Sequence, residues 1–158
     1  DRDRFAQLAG LPQLRVQLGD GVFRTGIREY SKRYRDANAS SDDLQRVMEE
    51  VSGQSLGWFF EQWLHRTISP AIMGTWSWDD ARKVIVIELR QTQAGAPYRL
   101  SLDVGIVPDS IGAATSVSTI PFAGASTRVE IPSARAPRDV VLDPRTRLLM
   151  APPAFTRK

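Results

Sequence analysis

Two rhythms run along this chain. Up to about residue 66, apolar side chains recur every three or four positions; beyond it they alternate with polar ones. The first spacing is that of a helix burying one stripe, the second that of a strand burying one face. Three segments carry the helical spacing clearly. In 20–35, Phe23, Ile27, Tyr30 and Tyr34 share a stripe; in 42–52, Leu44, Val47, Met48 and Val51 do; in 56–65, Leu56, Phe59, Phe60 and Trp63 do. The punctuation fits. Asp20 stands at an N-cap position, after a Gly19 suited to ending an earlier helix in the left-handed conformation. Ser40-x-x-Asp43 has the form of a capping box, Gly53 closes the second helix and Ser55 is placed to cap the third. The opening stretch from Phe5 to Leu18 is interrupted by Gly10 and Pro12, and Pro12 is expected to kink or restart any helix there.

Beyond residue 67 the chain reads as strands. Tyr98, Leu100, Leu102, Val104 and Ile106 alternate with Arg99, Ser101, Asp103 and Gly105, and Thr127, Val129 and Ile131 alternate with Arg128 and Glu130. Trp76 and Trp78 share a face of 71–78, and 84–91 is β-branched and apolar. Asp79-Asp80-Ala81-Arg82 between those two runs predicts a hairpin turn. Weaker strand patterns lie at 115–121, 138–142 and 147–150. Six or seven short antiparallel strands make a small β-sandwich. Pro12 is the only proline before this half, and the other nine of the ten fall within it. The fold class expected is α+β: an N-terminal helical bundle over 1–67 packed on a C-terminal antiparallel β-sandwich over 68–158. A helical piece this short is marginal alone, so the two parts are expected to share a core through the 56–65 helix.

Composition narrows the function classes. Hydrophobic content of 42% and charged content of 25% belong to a globular chain. The net charge is +3, and no basic run interleaved with aromatics stands out, so no nucleic-acid partner is expected. Of the 21 basic residues only Lys32, Lys83 and Lys158 are lysine, a bias attributed to coding composition before phosphate recognition. With no cysteine there is no disulfide and no thiolate metal site. No stretch approaches the ~20 apolar residues of a membrane span. The compartment stays open: extracytoplasmic and cytoplasmic bacterial locations both suit the chain.

The chemistry-bearing residues do not assemble into a motif. His65, the sole imidazole, sits beside Arg66 at a helix end, where it suits the helix dipole, and it has no companion ligands for a metal. Asp42-Asp43 and Glu49-Glu50 are neighbours on helices, so their side chains point about 100° apart and form no acid/base dyad. Trp58, Phe59, Phe60 and Trp63 have core spacing, with Trp58 off the stripe. Trp76 and Trp78 suit packing against the last helix better than sugar stacking. Gly-x-Ser-x-Gly is absent, and Gly19-Asp20-Gly21 lacks the surroundings of a phosphate loop. The sequence therefore assigns no catalytic residue and no metal ligand, and leaves substrate contacts unknown.

One ordered set of residues points to a family. Gly19-Asp20-x-x-Phe23, Gly26-Ile27-x-x-Tyr30 with Tyr34, Asn38-Ala39-Ser40-Ser41-Asp42-Asp43-Leu44, Met48-Glu49, Ser52-Gly53 and Leu56-x-x-Phe59-Phe60-x-Gln62-Trp63-Leu64 follow one another, with Pro70 after them. This succession resembles the end of the catalytic domain of aminopeptidase N-like zinc metallopeptidases, the gluzincin type. Val140-Val141-Leu142-Asp143-Pro144 is similar to the way a β-sandwich following such a domain ends. The resemblance is good over 19–70 and general beyond, and Gly10 and Pro12 depart from the regular helix that the family has before it. It implies that His-Glu-x-x-His, the zinc it binds, the third Glu ligand and the oxyanion-stabilising tyrosine all lie upstream, so none is carried onto a residue here.

The leading expectation is a C-terminal structural portion of a zinc-dependent aminopeptidase-like protein, inert alone. Its partners would be the N-terminal catalytic part of the same chain and, for the whole, a peptide substrate. It would brace the catalytic domain and help wall the cleft. Helix faces meant for the absent part would lie bare, with an apolar patch above ~400 Å² and self-association. The alternatives are a non-catalytic scaffold with an aminopeptidase-like fold, and a free-standing binding module whose sandwich holds glycan or peptide.

Overall fold

The structure, a computed structural model, describes residues 2–35 and 37–158, with side chains from residue 10 onward. Its contacts divide the chain into two compact units, Asp1–Thr67 and Ile68–Lys158.

The first unit is helical. Helix α1 runs Arg2–Leu18 through Pro12 and does not restart there. Pro12 is exposed, so the carbonyl that loses its partner can turn to water, and the helix continues. Leu14 and Leu18 point inward. Helix α2, Asp20–Arg33, has its N-cap at Gly19 rather than at the expected Asp20. Gly19 has φ 79 and ψ 158, a conformation open essentially to glycine alone. The Asp20 carboxylate is drawn away from capping by Arg15, whose Nε and Nη2 donate to it at 2.6 and 2.8 Å.

Helix α3, Ser41–Ser52, begins with the expected capping box. The Asp43 N–H donates to Ser40 Oγ at 3.2 Å, and the Ser40 N–H donates back to Asp43 Oδ2 at 3.0 Å. Gly53, at φ 66, ends the helix in the left-handed conformation. The next helix, α4 (Gly57–Phe60), is not capped by Ser55. Leu56 occupies the cap position, and its N–H is taken by Glu49 Oε1 at 2.7 Å, reached from α3. Helix α4 then widens into a π-helical turn, Glu61–His65. Closing hydrogen bonds five residues apart rotates the following side chains relative to an α-helix. Gln62 is buried at 3% exposure, while Trp63, expected at the centre of the stripe, is half-buried. The core gathers Leu14, Leu18, Leu44, Met48, Leu56, Phe59 and Phe60, with Phe23, Ile27, Tyr30, Trp58 and Trp63 packed around it.

The second unit holds two sheets. One has the order β5-β2-β1-β7 and the other β4-β3-β6. The strands are β1 Ile72–Asp79, β2 Val84–Gln91, β3 Leu100–Pro108, β4 Ser116–Phe122, β5 Ser126–Pro132, β6 Pro137–Leu142 and β7 Ala154–Arg157. Strands β1 and β2 form the expected hairpin, with Asp79 Oδ1 accepting the Arg82 N–H at 3.0 Å inside the turn. Each sheet buries one face: Ile72, Trp76, Ile85, Ile87 and Leu89 on the first, Leu100, Leu102, Val104, Ile120, Phe122, Val140 and Leu142 on the second. The fold class is α+β, as the two rhythms of the sequence implied.

Two expectations fail near the end of the chain. Residues 147–150 form no strand, and the last strand, β7, pairs parallel with β1, so the unit is not wholly antiparallel. The cause is Asp143. Its carboxylate accepts the Arg147 N–H and the Leu148 N–H, each at 2.8 Å. Those donors are then unavailable to a ladder. Asp143 sits at φ 46, a left-handed conformation that aspartate tolerates better than most residues. Its own N–H donates to the Asp103 carbonyl at 2.7 Å, fixing this knot to β3.

Candidate functional site

A cleft of about 1000 Å³ opens in the helical unit. Its walls are the end of α2 (Tyr30, Ser31, Tyr34, Arg35), the connection 37–41, Asp42 in the first turn of α3, and His65 at the end of the π turn. The cleft therefore lies over the Asn38-to-Leu44 motif singled out in the sequence.

Asp43 organises that wall. Its Oδ2 accepts the Ser40 N–H and, at 2.8 Å, the Ser40 hydroxyl; its Oδ1 accepts the Tyr34 hydroxyl at 3.2 Å and Arg46 Nη1 at 3.1 Å. These donors hold the carboxyl below its ordinary range, the Ser40 backbone N–H acting most strongly, then the Ser40 hydroxyl, with partial burial opposing them. Tyr30 and Tyr34 lean together with ring centroids 5.2 Å apart. Burial, and then the nearby Asp43 carboxylate, raises the Tyr30 phenol above its ordinary value. Asp42, one residue away, is exposed in the cleft, so the neighbouring aspartates point apart and serve different ends. The same holds for the other pair: Glu49 receives the Leu56 N–H and the Gln45 amide, while Glu50 takes Arg33 at 2.6 Å.

His65 is exposed, and among the described residues no hydrogen bond or ion pair engages it. Nor does any group of three or more His, Asp or Glu side chains among them come together in a way that could hold a metal. A zinc site needs about three protein ligands, and the residues present do not fit one. The cleft offers hydroxyls, an amide, a guanidinium and an imidazole. That set suits hydrogen bonding to a polypeptide or another polar surface. It contains no nucleophile held by a base, since Ser40 Oγ is committed to Asp43.

The paired tryptophans of β1 are no sugar platform. Trp76 is 2% exposed, with the Arg157 guanidinium 5.1 Å above its ring. Trp78 is half-buried, with the Lys83 ammonium 5.1 Å from its ring centre and its indole N–H enclosed without a partner. Sequence reasoning missed Glu49 as the acceptor that starts α4. The available signal was the absence of a side-chain cap that works at Leu56, which calls for an acceptor from elsewhere.

Comparisons with known proteins fall on the same ground. No family model matches the chain. The puromycin-sensitive aminopeptidase of Caenorhabditis elegans is 28% identical over 74 residues, which is 47% of this chain and 8% of that protein. In fold, the chain is similar to Legionella pneumophila aminopeptidase A, solved in complex with aspartic acid. The TM-score is 0.76 at 11% identity, covering 94% of this chain and 17% of that one. The chain is thus similar in sequence to part of one aminopeptidase and in fold to part of another. It spans less than a fifth of either aminopeptidase. No helix among the described residues is long and apolar enough to cross a membrane.

Proposed function

We propose that this chain is the C-terminal structural portion of a zinc-dependent aminopeptidase-like metallopeptidase of the aminopeptidase N-like, gluzincin kind. It carries no catalysis alone. One observation supports this above the others: the likeness to a single aminopeptidase runs through both units, over 94% of the chain, yet takes up only 17% of that protein. A free-standing enzyme would hold its reacting groups within such a span. Here the one imidazole has no companion ligands among the described residues. Zinc and its ligands would belong to residues outside this chain, and the metal would supply Lewis-acid chemistry there. The chain's own contribution is to brace the catalytic domain. Asp43, Ser40, Tyr34 and Arg46 lock the connection between α2 and α3, and Glu49 locks the start of α4. The cleft over that connection then becomes part of the wall facing the catalytic part.

The test compares the isolated chain with the full reading frame that contains it, on aminoacyl 4-nitroanilides, before and after chelation and with zinc restored. The isolated chain is expected to give no turnover under any condition. The longer protein is expected to turn over, to stop on chelation and to resume with zinc. Hydrolysis by the isolated chain overturns the proposal. A longer protein that stays inert with zinc replaces it with the scaffold reading.

A further inference from the structure

The solvent face of α2 carries a charge pattern that the reading above does not use. Arg24, Arg28 and Lys32 are spaced by four on the helix, and Arg35, in the cleft wall, follows just past its end. At about 100° per residue Arg24, Arg28 and Lys32 fall within a stripe about 80° wide, opposite the buried Gly26 and the half-buried Val22, Phe23 and Tyr30. All four cations are exposed, and among the described residues none has a hydrogen bond or ion pair. The other positions on the stripe are small and neutral: Gly21, Thr25 and Ser31. Both carboxylates of the helix are committed elsewhere, Asp20 to Arg15 and Glu29 to Arg33 at 2.8 Å. Like charges four apart on a helix repel by a few tenths of a kcal/mol per pair. Elsewhere, Arg82 faces Glu130 and Arg128 faces Glu88. Glu29 also lies within electrostatic reach of Lys32, but among the described residues positive charge exceeds negative along the row, which makes it complementary to an anionic surface of matching pitch.

We infer that the Arg24–Arg28–Lys32 row is a docking surface for an acidic polypeptide segment of a partner protein. The pitch supports this choice. Neighbouring cations rise about 6 Å along the axis. Carboxylates four apart on a helix repeat at the same interval, and those on alternate residues of an extended strand at about 6.6 Å. A membrane surface fits less well, because no apolar side chain stands on this face to enter the acyl boundary. Single-stranded nucleic acid also fits less well. No aromatic side chain among those described is exposed to stack a base. The inference is independent of the metallopeptidase reading and survives its failure.

The test uses the whole 158-residue chain and a fluorescent oligo-glutamate peptide at low and at physiological salt. Oligo-lysine, a single-stranded oligonucleotide and phosphatidylserine vesicles serve as comparisons. Oligo-glutamate is expected to bind most tightly, and to weaken as salt rises. Arg24→Glu with Arg28→Glu should weaken it by about tenfold, the scale of a few exposed charge pairs reversed together. Neutral Arg24→Gln with Arg28→Gln should give a smaller loss in the same direction, with unchanged circular dichroism. Arg138→Glu with Arg145→Glu alters net charge equally on exposed positions of the other unit, and should leave binding as it was. Equal losses in both reversed pairs, or binding no better than to oligo-lysine, overturn the inference. Tighter binding of the oligonucleotide or the vesicles overturns the choice of an acidic peptide.

Discussion

Removing the Asp143 carboxylate should unravel the last connection of the sheet unit at a cost that its contacts define. Asp143 is 6% exposed, and its two oxygens accept two backbone N–H groups at 2.8 Å each. Hydrogen bonds to a charged acceptor contribute about 1.5–3 kcal/mol each. In Asp143→Ala the two donors fare differently. The Arg147 N–H is half-buried and can recruit water, so its loss lies at the low end. The Leu148 bond is buried, and its orphaned donor carries the full desolvation cost. Together they predict a loss of about 3–4 kcal/mol. Asp143→Asn keeps one acceptor but turns an amide donor toward the second N–H, so about half that loss is expected. The backbone bonds of residue 143 to Asp103 and Thr146 survive both changes. Urea titration followed by amide resonances of β3 and β6 reads this unit's own transition, even where the helical unit unfolds separately. A loss below about 1 kcal/mol for Asp143→Ala would show that residues 147 and 148 find other acceptors, and would refute the account of why no strand forms there.

Two further outcomes follow from close approaches and caps. In Gly74→Ala the added Cβ would lie 2.1 Å from the Glu88 carbonyl oxygen and 2.8 Å from Leu89 Cδ2. Strands β1 and β2 must then part, at about 2–4 kcal/mol of the sheet unit's stability, and a neutral result in the same titration would show that the sheet bends freely there. Ser40→Ala removes the α3 cap and should cost about 1 kcal/mol, read from the helical unit's thermal transition. Because Asp43 titrates lower folded than unfolded, its stabilisation is present above the ordinary aspartate value of about 3.9 and fades as pH falls through it toward the folded value. Ser40→Ala should therefore flatten the acid side of the stability profile, and an unchanged acid slope would argue against the cap as its source.

Much of the fold was legible because its determinants are local. The capping box at Ser40 and Asp43, the left-handed Gly53 and the β1–β2 turn each depend on residues a few positions apart. The period-two pattern located six of the strands within about two residues. What escaped depends on distant partners or on register. Pro12 reads as a break, yet its position on the exposed side of α1 lets the helix continue. The stripe through Trp63 assumes α-helical phase, which the π turn alters. Leu148 to Met150 look like a strand until Asp143, across a turn, claims their first donors. Glu49 reads as half of an acidic pair, and only the folded chain brings it to Leu56. The cationic row on α2 is invisible as a run because its members are four apart, and becomes a patch only when wound on a helix.

The parallel pairing of β7 with β1 sets an order on synthesis. A ribosome releases the amino end first, and the helical unit has a core of its own, from Leu14 to Phe60. It can settle while the rest is still being made. The four-stranded sheet cannot. Its central strand β1 emerges early, at Ile72–Asp79, but one of its two neighbours is Ala154–Arg157. Until those last residues leave the exit tunnel, one edge of β1 carries unpaired backbone donors and acceptors through most of the unit's production. A nascent chain stalled in that interval would present a ready template for another strand. The final few residues thus decide when this half of the molecule stops being sticky.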